Sequence, residues 1–171
     1  MKKQVAILLH NVRSAHNVGS IFRTADAAGV SRVYLSGHTP RPVDRFGRPQ
    51  KEIAKTALGA ERMVPWEYAY RPVPFLNYLK KEWDIVGIEQ DTRAHEYRSY
   101  TLKRPTLFVF GNEVRGLSKE LRGRCATLLE IPMHGALVRQ PHHPRHIKRG
   151  KESLNVSVAA GIILFSCIPR S

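Results

Sequence analysis

The sequence predicts an α/β fold: a mostly parallel β-sheet with helices on both faces. Two observations carry this. Short apolar runs alternate with stretches of helical periodicity along the chain, and some runs, such as PTLFVFG at 105–111, are apolar almost throughout rather than at every second position. A strand apolar on both sides must be covered on both sides, as happens to parallel strands between two helix layers. In such sheets ligands bind outside the carboxyl ends of the strands, so the residues that follow each apolar run are where a site is sought.

Taken in order, QVAILL (4–9) reads as the first strand, bounded by polar residues on both sides. After it, NVGSIFRTADAAGV places Ile21, Ala25 and Ala28 on one helical face and ends at Gly29, a suitable C′ residue. VYLSG (33–37) is a second strand, which completes a βαβ beginning. HTPRPVDRFGRPQ (38–50) is rich in Pro, Gly and Arg and reads as a loop. KEIAKTALGA (51–60) is a short helix, RMVPWEYA (62–69) a strand or sheet-edge segment, and VPFLNYLKKEW (73–83) a helix that leads into the strand DIVGIEQ (84–90). The alternation then repeats. PTLFVFG is a strand, LSKELRGRC (117–125) a short helix with Ser118 near its cap, TLLEIPM (127–133) a strand, and SLNVSVAAGIILFSCI (153–168) a final helix capped by Ser153 or Asn155. With no internal repeat and no composition break, residues 1–171 are expected to form a single domain.

Charge narrows the partner. The chain has 28 Lys+Arg against 14 Asp+Glu, a formal net charge of +14. An excess that large in a small domain favours a polyanion, and the basic residues are spread through the folded segments rather than gathered in a tail. Nucleic acid is the leading partner. An anionic membrane is a weak second because no basic amphipathic helix is present. The longest apolar run, 156–167, is too short and too interrupted by Ser157 and Gly161 to span a bilayer, and the N-terminal stretch lacks a full signal sequence. Cys125 and Cys167 show neither a metal-ligand spacing nor a disulfide framework, which suits a reducing compartment and points to the cytoplasm. Each is expected to be a small buried side chain rather than a nucleophile.

Three polar segments fall where the fold would put a site. HNVRSAHNVGSIFRTAD follows the first strand and offers Asn17 and Arg23. These are either a helix cap and a solvated arginine or, with Asn17 at or before the cap, two groups reaching one strand-end cleft. FGNEVRGLS follows the strand at 106–110, and its two glycines enclose Asn112, Glu113 and Arg115, more than a plain strand-to-helix turn requires. It is not a phosphate-binding P-loop, since no Gly-Lys-Ser/Thr follows. The third is LLEIPM followed, after an interval, by SLNVSVAAGI.

In this order and at these strand ends, NVRSAHNVGSIFRTADAAGV, FVFGNEVRGLS and IPM…SLNVSVAAGI resemble the three signature motifs of the SpoU/TrmH branch of the SPOUT RNA methyltransferases. The resemblance implies transfer of a methyl group from S-adenosylmethionine to a ribose 2′-hydroxyl of tRNA or rRNA. It also implies a homodimer and a C-terminal deep trefoil knot, a threading that composition and periodicity would never suggest. Since the sulfonium methyl is already electrophilic, the enzyme must hold the hydroxyl in line with it and deal with the proton. The resemblance ties Arg23 most directly to that hydroxyl, either as a base or as a cation that clamps phosphate and steadies developing alkoxide charge, the latter suiting a guanidinium that stays protonated. Asn17, Glu113, Ser153 and Asn155 match the other catalytic motif positions, with Glu113 positioning Arg23 or Asn17. The cofactor would rest on Ile88, Gly111, Ile131, Met133, Ser153 and Leu154, where backbone groups and apolar walls suit a neutral adenine.

The chain departs from the pattern between IPM and SLN. Typical members pass across in a short loop, whereas here a basic insertion at about 134–152 carries Arg139, Arg145, Lys148, Arg149 and Lys151 with several histidines. An RNA-gripping loop, a solvated insertion and a metal site are the three readings. The histidines lack a carboxylate or cysteine partner, so no metal is expected. Since the larger relatives carry additional RNA-binding segments, this chain is expected to grip RNA with the catalytic domain itself. Two other functions stay open: a non-catalytic RNA-binding protein on the same fold, and methylation of a base atom.

Overall fold

The computed structural model describes residues 4–134 and 153–168. Five consecutive apolar residues make β1 (Val5–His10), and Val5 through Leu9 are all buried. Their side chains alternate between two cores: Val5, Ile7 and Leu9 belong to one, Ala6 and Leu8 to the other. β6 (Thr106–Phe110) does the same, with Phe108 and Phe110 on the first side and Leu107 and Val109 on the second. These two strands pair at the centre of the sheet. The remaining strands are β2 (Arg32–Ser36), β3 (Trp66–Tyr68), β4 (Asp84–Ile88), β5 (His95–Glu96) and β7 (Thr127–Glu130). The order is β3-β2-β1-β6-β4-β7-β5, and every strand pairing is parallel.

Helices cover both sides, as a doubly apolar parallel sheet requires. The larger core receives α1 (Ala15–Ala28), α2 (Lys51–Ala57), α3 (Ala60–Met63) and α6 (Val156–Cys167). The smaller receives α4 (Pro72–Leu79) through Leu76 and α5 (Lys119–Arg122) through Leu121. Because all strands run the same way, all their carboxyl ends open at one edge of the molecule.

Some local expectations are corrected. Ser14, not Asn17, caps α1: the Ser14 hydroxyl accepts the Asn17 amide N–H at 3.2 Å, which places Asn17 inside the first turn and frees its side chain for other work. On the face of α1, Ile21 and Ala25 are fully buried while Ala28 is only partly so, and Gly29 closes the helix at φ 73°. Asn155 rather than Ser153 caps α6, through its Oδ1 and the Ser157 N–H at 2.9 Å. The segment 51–60 forms two helices instead of one, because Leu58 takes a left-handed φ of 52° and Gly59 one of 95°. The two-residue strand β5 and the 3-10 turn Tyr97–Ser99 had no signal in the sequence, being too short to show a period.

α1 and α2 approach so closely at Gly19 that a Cβ there would collide with the Thr56 hydroxyl and the Ile53 carbonyl. Gly19→Ala should therefore lower stability by about 1–3 kcal/mol, despite alanine's better helix propensity, as read from urea unfolding.

Candidate active site

At the carboxyl edge, the ends of β4, β6 and β7 and the start of α6 enclose a cavity of about 290 Å³. Ile88, Phe110, Ile131, Met133 and Val156 give it apolar walls, while Glu89, Glu113 and Glu130 bring carboxylates to it. All six residues expected to hold a cofactor, Ile88, Gly111, Ile131, Met133, Ser153 and Leu154, line this one cavity.

One wall is the loop after β6, and its shape is built by neighbours rather than by its own sequence alone. A Cβ on Gly111 would come within 2.5 Å of the Gly116 carbonyl carbon, so the loop closes on itself only with glycine there. Gly116, at φ 62°, presses against the Glu89 carboxylate, whose Oε2 accepts the Leu117 N–H at 2.6 Å. Asn112 Oδ1 accepts the N–H groups of Val114 and Arg115 at 2.9 and 3.0 Å, and its amide donates to the Asn11 carbonyl at 3.0 Å. Asn11 itself sits at φ 59°, steadied by its Oδ1 accepting the His38 N–H and its amide donating to His10 Nε2. That leaves His10 Nδ1 to donate to the Ser36 hydroxyl, the neutral tautomer, in keeping with burial and the nearby His38 lowering the His10 pKa.

The polar residues of the three motifs meet over the cavity rim. Asn17 donates through Nδ2 to Glu113 Oε1 at 2.9 Å and accepts through Oδ1 from Asn155 Nδ2 at 3.2 Å. The Ser153 hydroxyl donates to the Glu113 carbonyl at 3.3 Å. One asparagine side chain thus ties together the start of α1, the loop after β6 and the start of α6.

With that geometry in place, comparison with known proteins decides the family. Residues 4–138 match the model of the SpoU rRNA methylase family. The chain belongs to that family. A SpoU relative, the 23S rRNA (guanosine-2′-O-)-methyltransferase RlmB of Ralstonia nicotianae, is 32% identical over 164 residues, 95% of this chain and 57% of the relative. The AdoMet-bound rRNA methyltransferase of Sinorhizobium meliloti superposes with a TM-score of 0.78 at 28% identity, covering 97% of this chain and 56% of that one. The A. aeolicus TrmH/SpoU tRNA modifying enzyme gives 0.75 at 28% identity, over 96% of this chain and 75% of that one. The chain thus spans a little over half the length of the curated relative.

Arg23 does not join the residues that meet at the cavity rim. It is exposed on α1 and lines a separate depression with Asp26, Leu58, Arg62 and Met63. Six residues along a helix amount to about 9 Å of rise and about 240° of rotation, so Asn17 and Arg23 point apart. Of the two readings of this segment, the one in which both reach one strand-end cleft is corrected accordingly. Among the described residues the Arg23 side chain has no hydrogen-bond or ion-pair partner. Arg139, Arg145, Lys148, Arg149 and Lys151 lie outside the described residues.

Glu89, Asn112 and Asn11 were missed as site-building residues. Glu89 and Asn11 each follow directly on the end of a strand, which was the available signal; Asn112 was noticed without its role as the loop's anchor. Burial pushes the Cys125 thiol up to about 12 and the Cys167 thiol to about 11, so neither is a ready nucleophile. Among the described residues no group of three His, Cys, Asp or Glu could hold a metal ion, and no helix is long and apolar enough to cross a membrane.

Because Asn17 and Glu113 touch directly, a double-mutant cycle of Asn17→Ala and Glu113→Ala in urea unfolding should return a coupling of about 0.5–2 kcal/mol. Strict additivity would mean that the bond does not hold the rim together.

Proposed function

We propose that this chain is an S-adenosylmethionine-dependent RNA methyltransferase that modifies a ribose 2′-hydroxyl of rRNA or tRNA, acting in the cytoplasm as a homodimer of one-domain protomers. The observation that carries the reading is the Glu113–Asn17–Asn155 chain poised over a cavity with apolar walls and carboxylates, in a member of the SpoU family. The cavity suits the cofactor: its apolar walls fit a flat adenine, and its carboxylates can face the positive sulfonium and amino groups. Similarity to guanosine-2′-O-methyltransferases of 23S rRNA and to an AdoMet-bound rRNA methyltransferase adds support.

When bound, the cofactor supplies an electrophilic methyl group on sulfur. This chain's residues do the remaining work. Ile88, Ile131, Met133 and Leu154 exclude water and hold the adenine side, while Gly111 lets the backbone come close. Asn17 and Asn155 keep Glu113 oriented at the rim. Arg23 serves as a cation for RNA phosphate and for developing alkoxide charge.

Since Arg23 faces away from the cavity of its own protomer, a second copy is the natural route by which it meets an acceptor. Exposed Leu58 and Met63 line the same depression as Arg23, and Val158 and Phe165 are exposed on α6, which packs on α1. Contact between copies through this surface would shelter them. The family's knotted C-terminal crossing is part of the same reading, supported by the return of Ser153 to the loop after β6. Its linking segment, 135–152, lies outside the described residues.

Titration calorimetry with S-adenosylmethionine should show binding, and incubation of unmodified rRNA or tRNA with labelled cofactor should yield a 2′-O-methylated nucleoside by mass spectrometry. No cofactor binding would sink the enzyme reading, and a base-methylated product would sink the ribose assignment. Arg23→Ala should reduce transfer by about 100-fold or more; a rate within a few-fold of wild type would remove Arg23 from the mechanism.

A further inference from the structure

The Arg-rich loop at 38–50 has no part in the cavity, yet its shape is fixed by a close set of hydrogen bonds. Asp44 organises it. Its Oδ1 accepts the N–H groups of Phe46 and Arg48 at 2.8 and 3.0 Å, and its Oδ2 accepts Arg48 Nε at 2.7 Å. Backbone bonds from Asp44 N–H to the Arg48 carbonyl and from Gly47 N–H to the Asp44 carbonyl close the turn, and Gly47 takes the φ of 76° that it needs. Val43 and Pro49 bridge its base.

This effort presents a large apolar ring to solvent. Phe46 is 65% exposed, and the guanidinium carbons of Arg45 and Arg48 stand 4.7 and 5.0 Å from its ring centre. A second group of the same kind lies at the ends of β2 and β3. Arg41 sits 4.3 Å over the Tyr68 ring and 5.4 Å over that of Tyr70, donating to the Tyr70 hydroxyl at 3.2 Å. Tyr68 is anchored in turn by its hydroxyl to the Gly37 carbonyl, while Tyr70 is 73% exposed.

Rings held in the open beside guanidinium groups, in a chain of net charge +14, match what binds single-stranded nucleic acid: π-faces for bases and cations for phosphates. A bare apolar patch would lack the cations, and a plain basic loop would not require its ring to be held in place.

We infer that Phe46 with Arg45 and Arg48, and Tyr70 with Arg41, form a stacking platform for an unpaired stretch of the substrate RNA next to the nucleotide that is methylated. This rests on the RNA reading above. The position fits: with all strands parallel, β2 and β3, from whose ends the platform residues follow, end at the same edge as the cavity, and β3 is three strand spacings from β6, about 14 Å. The platform holds RNA by stacking and charge, so it fixes register without choosing sequence.

The test is cofactor-free binding of a short fluorescent single-stranded RNA, compared with a duplex RNA of the same length. Phe46→Ala should weaken single-strand binding by about 5- to 150-fold, leave the salt dependence unchanged and affect duplex binding far less. Phe46→Trp should retain affinity, and Arg45→Ala should reduce the salt slope by about one. The thermal unfolding midpoint of each variant checks that the fold persists. Wild-type binding with no loss in Phe46→Ala, or an equal loss on duplex RNA, overturns the platform alone. Failure of the wild-type protein to bind any RNA overturns the RNA reading with it.

Discussion

A single primary amide holds the site in one piece. Asn17 uses its donor on Glu113 and its acceptor on Asn155, partners 96 and 138 residues away along the chain. Asparagine is suited to the position because it offers both roles from one planar group; aspartate could only accept, and would face the Glu113 carboxylate with like charge. The side chain is available because Ser14 has taken over the capping of α1. A hydroxyl one turn earlier thus decides what the amide is free to do.

The fold was legible where burial on both faces erased the alternation of the strands, as in β1 and β6, and where caps and glycines punctuated the helices, as at Ser118 and Gly29. It was not legible where a backbone angle overrode side-chain pattern. Nothing about Leu58 announces a left-handed residue, so the helix read over 51–60 runs past the true end of α2 at Ala57. In the site, four motif residues, Asn17, Glu113, Ser153 and Asn155, came together as their strand-end positions suggested. Arg23 did not, because its direction depends on helical phase, and a shift of the cap from Asn17 to Ser14 changes what the first turn can present. Glu89 escaped notice because its role, accepting the Leu117 amide, is a contact across 28 residues that no local pattern encodes.

Charge is divided in an informative way. The chain as a whole is strongly cationic, yet among the described residues the cavity gathers three carboxylates and a single arginine, Arg115, which belongs to the loop that walls it. A single polyanion site would draw cations inward. Among the described residues the cations lie mostly on outer surfaces, notably along 41–48, while the cavity suits a small ligand that carries positive charge. On the proposed reading, two ligands of opposite character would be kept on neighbouring ground without competing.

The wall formed by α6 also has a consequence for how the protein is made. Among the described residues the last strand of the sheet ends at Glu130, and the chain emerging from a ribosome can pair those strands early. Ser153, Leu154, Val156 and Ala159 arrive afterwards, yet the cavity needs them. During synthesis there is therefore an interval in which a folded sheet exists with its binding edge open on one side. A small molecule bound there as proposed would find its last wall only once α6 has docked, so its binding would report on that docking.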